Sequence, residues 1–268
     1  MHEEEPMILD DITKQVRLRL EEDKKKISLE DMRDLAEKQE DPREFPFERA
    51  LRKEGLSYIC EVKKASPSKG VIAEDFPYVE IAKDYEKAGA SAISCLTERD
   101  FFQGHITYLK EIAQSVTIPV LRKDFIIDAY QIYEARAMGA AAVLLICAIL
   151  DEKTLTAYIG LAHSLGLSAL VEAHDEGEVA MALQCGARVI GVNNRNLKDF
   201  TVSLHTSLSL RDLVPPSVLF ITESGIKTKE DIAVIKERGV HGVLIGETLM
   251  KAQDKKQMLS YLDGDGHG

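Results

Sequence analysis

Eight short apolar runs punctuate the chain at 57–61, 91–96, 117–122, 141–147, 167–171, 188–192, 218–222 and 242–245. Their length and their share of β-branched residues predict strands. Between them the apolar positions recur every third or fourth residue, over 79–87, 129–137, 155–164 and 229–238, which predicts amphipathic helices. Several helices end in one phrase: Ala88-Gly89-Ala90, Met138-Gly139-Ala140, Cys185-Gly186-Ala187 and Arg238-Gly239-Val240. This is a glycine just past the helix, leading directly into the next strand. Strand and helix alternating eight times predict an α/β chain folded as a (β/α)₈ TIM barrel. An open doubly wound sheet is the rival, but no G-x-G-x-x-G follows the first run and no composition break marks two domains.

Ahead of the barrel, residues from Met7 to about Glu40 carry Ile8, Ile12, Val16 and Leu20, then Leu29, Met32 and Leu35, at helical spacing. Ser28 caps the second piece, with Asp31 three residues on. The charged run 21–26 reads as a solvated face with i,i+4 pairing, and Asp41-Pro42 and Phe45-Pro46 close the section. The expected organisation is one domain over 1–268, with an N-terminal helical extension to about residue 50 and the barrel from there to about residue 260.

Composition narrows the function classes. At 268 residues, 45% hydrophobic and 29% charged, the chain can bury a large core. No apolar run approaches the roughly 18 residues of a membrane span. Met1-His2-Glu3-Glu4-Glu5 is acidic where a signal peptide is basic, so the expected location is cytoplasmic. Cys60, Cys95, Cys147 and Cys185 stand singly among apolar neighbours, which suggests buried thiols and neither a zinc site nor a disulfide framework. A net charge of -11 disfavours nucleic acid and anionic membranes as partners. An anionic small substrate would need a local cluster of cations and amides.

The carboxyl ends of the predicted strands are polar, and that is where barrels carry their chemistry. Strand 1 delivers Glu61 and Lys63, which share a face by period-2 alternation, with Val62 on the other. Strand 3 ends in Arg122-Lys123-Asp124-Phe125, strand 5 in Glu172, strand 6 in Asn193-Asn194-Arg195-Asn196, strand 7 in Glu223-Ser224-Gly225 and strand 8 in Gly246-Glu247. The last two place glycines and free amides before helices, a pattern suited to phosphate. Strands 2 and 4 offer less. Any one of these lysines or glutamates taken singly reads as a rim salt bridge. Six polar ends on one rim read as a site.

Glu61-Val62-Lys63-Lys64-Ala65-Ser66-Pro67-Ser68, Leu121-Arg122-Lys123-Asp124-Phe125, Val171-Glu172, Gly191-Val192-Asn193-Asn194-Arg195-Asn196-Leu197, Glu223-Ser224-Gly225-Ile226 and Leu244-Ile245-Gly246, in this order, resemble the indole-3-glycerol phosphate synthase family of tryptophan biosynthesis. The resemblance spans nearly the whole chain and implies N-terminal helices over the barrel mouth. It also implies a decarboxylating and dehydrating ring closure of 1-(2-carboxyphenylamino)-1-deoxyribulose 5-phosphate by general acid-base catalysis, with no metal or organic cofactor. By that resemblance Lys123 polarises the substrate ketone, Lys63 pairs with the carboxylate or protonates the departing hydroxyl, and Glu172 is the base. Glu61 and Asn193 hold the lysines and a substrate hydroxyl. Phe102 and Phe125 resemble contacts for the anthranilate ring. Ser66, Arg195, Glu223, Ser224, Gly225, Gly246 and Glu247 resemble substrate- and phosphate-binding positions. Lys64 stands where some members have arginine, and Glu247 where serine is common, so Glu247 would contribute its amide.

Apart from the resemblance, Phe101, Phe102 and Phe125 read as loop packing, His174 as an exposed loop or helix-start residue, and His105 and His163 as helix-surface residues. The N-terminal helices read as a structural plug or as a lid. A Schiff-base aldolase with Lys123 or Lys63 as the amine is the rival enzyme, and a barrel kept as a binding module is the non-enzymatic reading. A sugar-phosphate isomerase would carry Cys or Asp at the first strand end. The oligomeric state is open, with a monomer slightly favoured.

Overall fold

The computed structural model describes residues 8–39, 44–196 and 199–264. The helix start expected at Met7, the Asp41-Pro42 break, Leu197 and the stretches 3–5 and 265–268 lie outside them. Eight parallel strands close a barrel: β1 Ser57–Val62, β2 Ala92–Leu96, β3 Val120–Lys123, β4 Ala142–Ile146, β5 Ser168–Ala173, β6 Val189–Asn193, β7 Leu219–Glu223 and β8 Gly242–Ile245. Closure is between β1 and β8, where Cys60 is in register with Ile245. Helices fill each crossover. They include α4 Tyr78–Lys87, α5 Ile106–Ser115, α6 Ala129–Ala137, α7 Glu152–Ser164, α8 Glu176–Gln184, α9 His205–Leu210 and α10 Lys229–Glu237. After β8 come α11 Glu247–Lys251 and α12 Lys255–Asp263.

Alternate residues of each strand enter different apolar layers. In β4, Ala142, Leu144 and Ile146 join the barrel interior, while Val143 and Leu145 face the helices beside Ile132 and Leu155. Both faces are apolar, so the strand reads as an unbroken run. The same parity sends Ile59, Leu121, Leu170, Val189 and Ile221 inward. Two residues further along, Glu61, Lys123, Glu172, Gly191 and Glu223 therefore also point inward. Glu61, Lys123, Glu172, Asn193 and Glu223 all lie within strands, and each of these strands runs past its expected end of 61, 122, 171, 192 or 222. A charged side chain does not stop a ladder of backbone hydrogen bonds. The glycines that end helices are left-handed as expected, at φ +100° for Gly89 and +88° for Gly139. Behind them Ala90 N–H reaches Tyr85 O at 3.0 Å and Ala140 N–H reaches Ala135 O at 2.9 Å.

The N-terminal helices α1 Ile8–Lys26, α2 Leu29–Glu37 and α3 Pro46–Leu51 go to different places. Helix α1 lies at the mouth, burying Leu9, Ile12, Val16 and Leu20 at helical spacing. Arg19 binds Glu98 at 2.7 Å and Asp100 at 2.9 Å, Asp23 binds Arg99 at 3.0 Å, and Lys24 binds Asp128 at 2.8 Å. The charged run 21–26 is thus not simply a solvated face, because two of its members reach across to the barrel. Helix α2, capped by Ser28 as expected, packs Met32 against Tyr130 of α6. Helix α3 sits at the opposite end, where Phe47 and Leu51 enter the interior layer beside Ile59, Val189 and Leu219. Pro46 opens this helix, where a missing N–H costs nothing. Phe45-Pro46, expected to close the helical section, instead starts a further helix within it. His163 is half-buried against the Phe45 ring, 5.7 Å between centroids, and burial pushes its imidazole down to about 4. It is not a helix-surface residue.

All four cysteines are free and buried. Among the described residues, no helix is long and apolar enough to cross a membrane. Phe47 has no exposed surface, whereas Leu18 of α1 is 56% exposed. Phe47→Ala should lower the denaturant midpoint by the equivalent of about 3–5 kcal/mol, and Leu18→Ala by less than about 0.5 kcal/mol. Equal effects would show that α3 does not seal the barrel.

Candidate active site

The β1 end brings Lys63 Nζ to 2.6 Å from Glu61 Oε1. Both press against Gly246, where an added Cβ would lie 2.9 Å from Lys63 Nζ and still closer to the Glu61 carboxylate. Gly246 has φ -110°, so its glycine is required by this close approach and not by backbone conformation. A short hairpin pairing 65–66 with 70–71 follows, and Ala65 N–H donates to Phe102 O at 3.2 Å, tying the first loop to the second. In that second loop the fully buried Glu98 carboxylate accepts from the amides of Asp100, Phe101 and Phe102 at 2.7–3.1 Å. The Phe102 ring is thereby set 6.1 Å from that of Phe125.

Lys123 Nζ lies 3.3 Å from Glu172 Oε2 and 3.6 Å from Glu223 Oε2. The strand register explains the grouping: Glu172 is opposite Gly191, and Asn193 is opposite Glu223. Gly191 leaves the space the Glu223 carboxylate fills, for any Cβ there would collide with its Oε1. Asn193 Nδ2 donates to Glu172 Oε1 at 3.3 Å, and Asn193 Oδ1 accepts from Arg195 N–H at 3.0 Å. Loop 7 turns on two left-handed residues, Ser224 at φ +66° and Gly225 at +84°. Asn194 pins that loop by donating to Ser224 O at 3.0 Å. The Glu247 carboxylate pairs with Lys251 at 2.6 Å, which holds it below its ordinary range.

One cavity at the mouth is lined by Glu61, Lys63, Ser66, Phe102, Lys123, Phe125, Glu172, Asn193, Arg195, Glu223, Ser224, Gly246 and Glu247, and is roofed by Ile8, Leu9 and Ile12 of α1. Of the expected site residues only Gly225 stays outside, beneath Val202 and Leu204. Arg122 turns the other way. It binds Glu134 at 2.8 Å and Asp124 at 3.1 Å and secures α6. Among the described residues, no group of three or more His, Cys, Asp or Glu side chains is placed to hold a metal ion.

The family model described as indole-3-glycerol phosphate synthase matches residues 9–262. The chain belongs to the indole-3-glycerol phosphate synthase family. A relative of that name from Ruminiclostridium cellulolyticum is 54% identical over 258 residues, covering 96% of this chain and 99% of that protein. Another of that name from Lacticaseibacillus paracasei is 51% identical over 254 residues, covering 95% of this chain and 98% of that protein. Among solved structures, a KGPDC from Streptococcus mutans superposes with TM-score 0.61 at 9% identity, covering 78% of this chain and 96% of that one. A thiamine phosphate pyrophosphorylase from Pyrococcus furiosus superposes with TM-score 0.58 at 18% identity, covering 78% of this chain and 93% of that one. These two share the fold alone.

In this member of the synthase family the buried carboxylates diverge in charge state. Burial favours the neutral form of Glu172, but Lys123 and then His174 and Asn193 outweigh it and hold the carboxyl well below its ordinary range. Glu223 is also desolvated, the Lys123 charge does not compensate, and repulsion from Glu172 and Glu61 adds to burial, pushing it up to about 8. Among the described residues, its Oε1 has no hydrogen-bond partner. Burial disfavours the Lys123 ammonium, yet Glu172, Glu223 and Glu61 together raise it above the usual lysine range.

His174 is the residue that sequence reasoning missed. It is largely buried, with 17% side-chain exposure, and lies 3.2 Å from Glu172 and 3.0 Å from Glu178. His174 does precede the Asp175 cap of α8, as a helix-start residue would, but it is not an exposed loop residue. The available signal was Glu178 four residues on, in reach of His174 across the first turn of α8. His105 caps α5, accepting from Thr107 N–H at 3.1 Å.

A Glu223→Gln variant tests the charge assignment. Below about 4.5 Glu223 is protonated folded and unfolded alike; between there and about 8 only the folded state keeps the proton, so the wild type loses stability as pH rises through this window. Glutamine does not titrate. The melting temperature of the variant relative to wild type should therefore climb from pH 4.5 to 8, and a flat or falling difference would contradict the assignment.

Proposed function

We infer that this chain closes the indole ring, converting 1-(2-carboxyphenylamino)-1-deoxyribulose 5-phosphate to indole-3-glycerol phosphate with release of carbon dioxide and water. The observation that carries this reading is that two lysines, each set against a carboxylate, face one apolar-walled cavity in a chain of the synthase family. The ring carbon bearing the carboxylate attacks the ketone carbon, and the Lys123 ammonium delivers a proton to the ketone oxygen. The carbon–carboxylate bond then breaks, its electron pair restores the aromatic ring, and carbon dioxide leaves. Lys63 meets the substrate carboxylate first and then protonates the departing hydroxyl, which leaves as water. Glu172 takes the proton from the neighbouring carbon, completing the double bond. Two protons are given and one is recovered, which matches the conversion of a carboxylate to neutral carbon dioxide. At 3.3 Å, Glu172 is close enough to return its proton to Lys123.

Phe102 and Phe125 wall the slot for the anthranilate ring, and α1 excludes water from above. The phosphate is assigned to the loops after β7 and β8, near Ser224, Gly225 and the amides at Gly246 and Glu247, with Ser66 and Arg195 at the rim. The Lys251 partner draws the Glu247 carboxylate into an ion pair, which limits its repulsion of an anion. A Schiff-base mechanism requires a neutral amine, and the raised Lys123 opposes it.

Mixing the protein with the carboxyphenylamino-deoxyribulose phosphate should produce indole fluorescence. Lys123→Ala should lower kcat by about 10²–10⁴-fold, the range for loss of a general acid. A wild type that binds this substrate without developing fluorescence would overturn the reading.

A further inference from the structure

We propose that His174, braced by Glu178, is a positioning residue that fixes the Glu172 carboxylate from the side facing away from the substrate. His174 does not line the substrate cavity; it borders a neighbouring groove together with Asn193 and Arg195. The proposal rests on the reading of Glu172 as the base. The Glu178 carboxylate, in the first turn of α8, accepts from His174 N–H at 2.8 Å and contacts Nδ1 at 3.0 Å with the same oxygen. Asp175 caps that turn by accepting from Glu178 N–H at 2.9 Å, which holds the brace in place. With Nδ1 engaged, the ring edge carrying Nε2 faces Glu172 Oε1 at 3.2 Å, near enough for charge attraction though out of line for a hydrogen bond.

Glu172 is thus held on both oxygens, Oε2 by Lys123 and Oε1 by Asn193 and His174. Lys123 and Asn193 also face the cavity and are engaged by the reaction, so His174 is the contact that stays fixed through the cycle. Among the described residues, the charged and titratable groups that face the imidazole or its two carboxylates include Glu172 from β5, Glu178 from α8 and Asp175 that caps it. Cys147 from the turn after β4, Arg195 from the β6 loop, Glu223 from β7 and, through Glu172, Lys123 from β3 lie around them. Burial lowers the imidazole, but Glu172 and Glu178 reverse this and raise it to about 10, so it is a cation at neutral pH. The Cys147 thiol is pushed up to about 12, chiefly by burial, and stays neutral there.

The test is a pH profile of kcat and KM, read by indole fluorescence, for the full chain and its His174→Gln, Glu178→Gln and Glu172→Gln variants. Removing the imidazole leaves Glu172 Oε1 with Asn193 alone, a group that also faces the cavity. His174→Gln should therefore lower kcat by about ten-fold at neutral pH with KM within about two-fold, a loss of alignment and not of binding. Glu178→Gln keeps the imidazole but removes one of its two anions. It should keep kcat near wild type on the acid side of neutrality and add a loss of rate where the histidine now discharges, nearer neutrality. If His174→Gln fails to fold, this second profile decides. A kcat for His174→Gln within about two-fold of wild type, or a Glu178→Gln profile that matches wild type, with Glu172→Gln still inactive, would overturn the positioning role and leave the base in place. A Glu172→Gln variant that retains activity would overturn the base itself.

Discussion

Lys123 stands between two buried carboxylates at the top of the barrel, and much of the surrounding structure follows from keeping that arrangement neutral enough to bury. Removing charges from water costs several kcal/mol per ion unless each finds a partner. Glu61 has Lys63, Glu172 has Lys123 and His174, and Glu223 is left with the distant side of Lys123. Glu223 answers by retaining its proton. Two carboxyls of the same chemistry thus become different groups through their neighbours, as acid–base chemistry requires.

Space is the second constraint. At Gly191 and Gly246 a side chain would occupy the volume of a buried carboxylate that lines the cavity. The first makes room for Glu223 and the second for the Glu61–Lys63 pair. Around this centre the N-terminal segment spans the barrel from one end to the other. Helix α1 roofs the cavity and reaches Glu98, whose carboxylate sets the Phe102 loop, while α3 fills the far end of the interior. The apolar wall of the cavity and the stability of the barrel therefore draw on the same extension.

Much of this was legible in residue order. Period-2 alternation put Glu61 and Lys63 on one face, and the repeated helix-ending glycines counted the strand–helix units. The positions of Lys123, Glu172, Asn193 and Glu223 followed from where the apolar runs stop. Inside against outside within each strand was not legible, because β4 and its neighbours are apolar on both faces. His174 was misread because its local partner, Glu178 four residues on, was the one signal of its burial and nothing in the residue order places the imidazole beside Glu172. Asp23 and Lys24 were misread because a charged run on a helix carries no sign of partners about a hundred residues away, as Asp128 is from Lys24. Asn194 and Arg122, both in polar strand ends, act in holding loop 7 and α6, and their roles depend on which way each side chain turns.

The division of charge between Glu172 and Glu223 is the claim on which the proposed chemistry depends. It can be observed directly by following the side-chain carboxyl carbons of labelled glutamate by NMR across pH, assigned with the Glu172→Gln and Glu223→Gln variants. Glu223 should titrate near pH 8, while Glu172 remains ionised down to the lowest pH at which the protein stays folded. A Glu172 signal that titrates in the neutral range beside an ionised Glu223 would contradict the account.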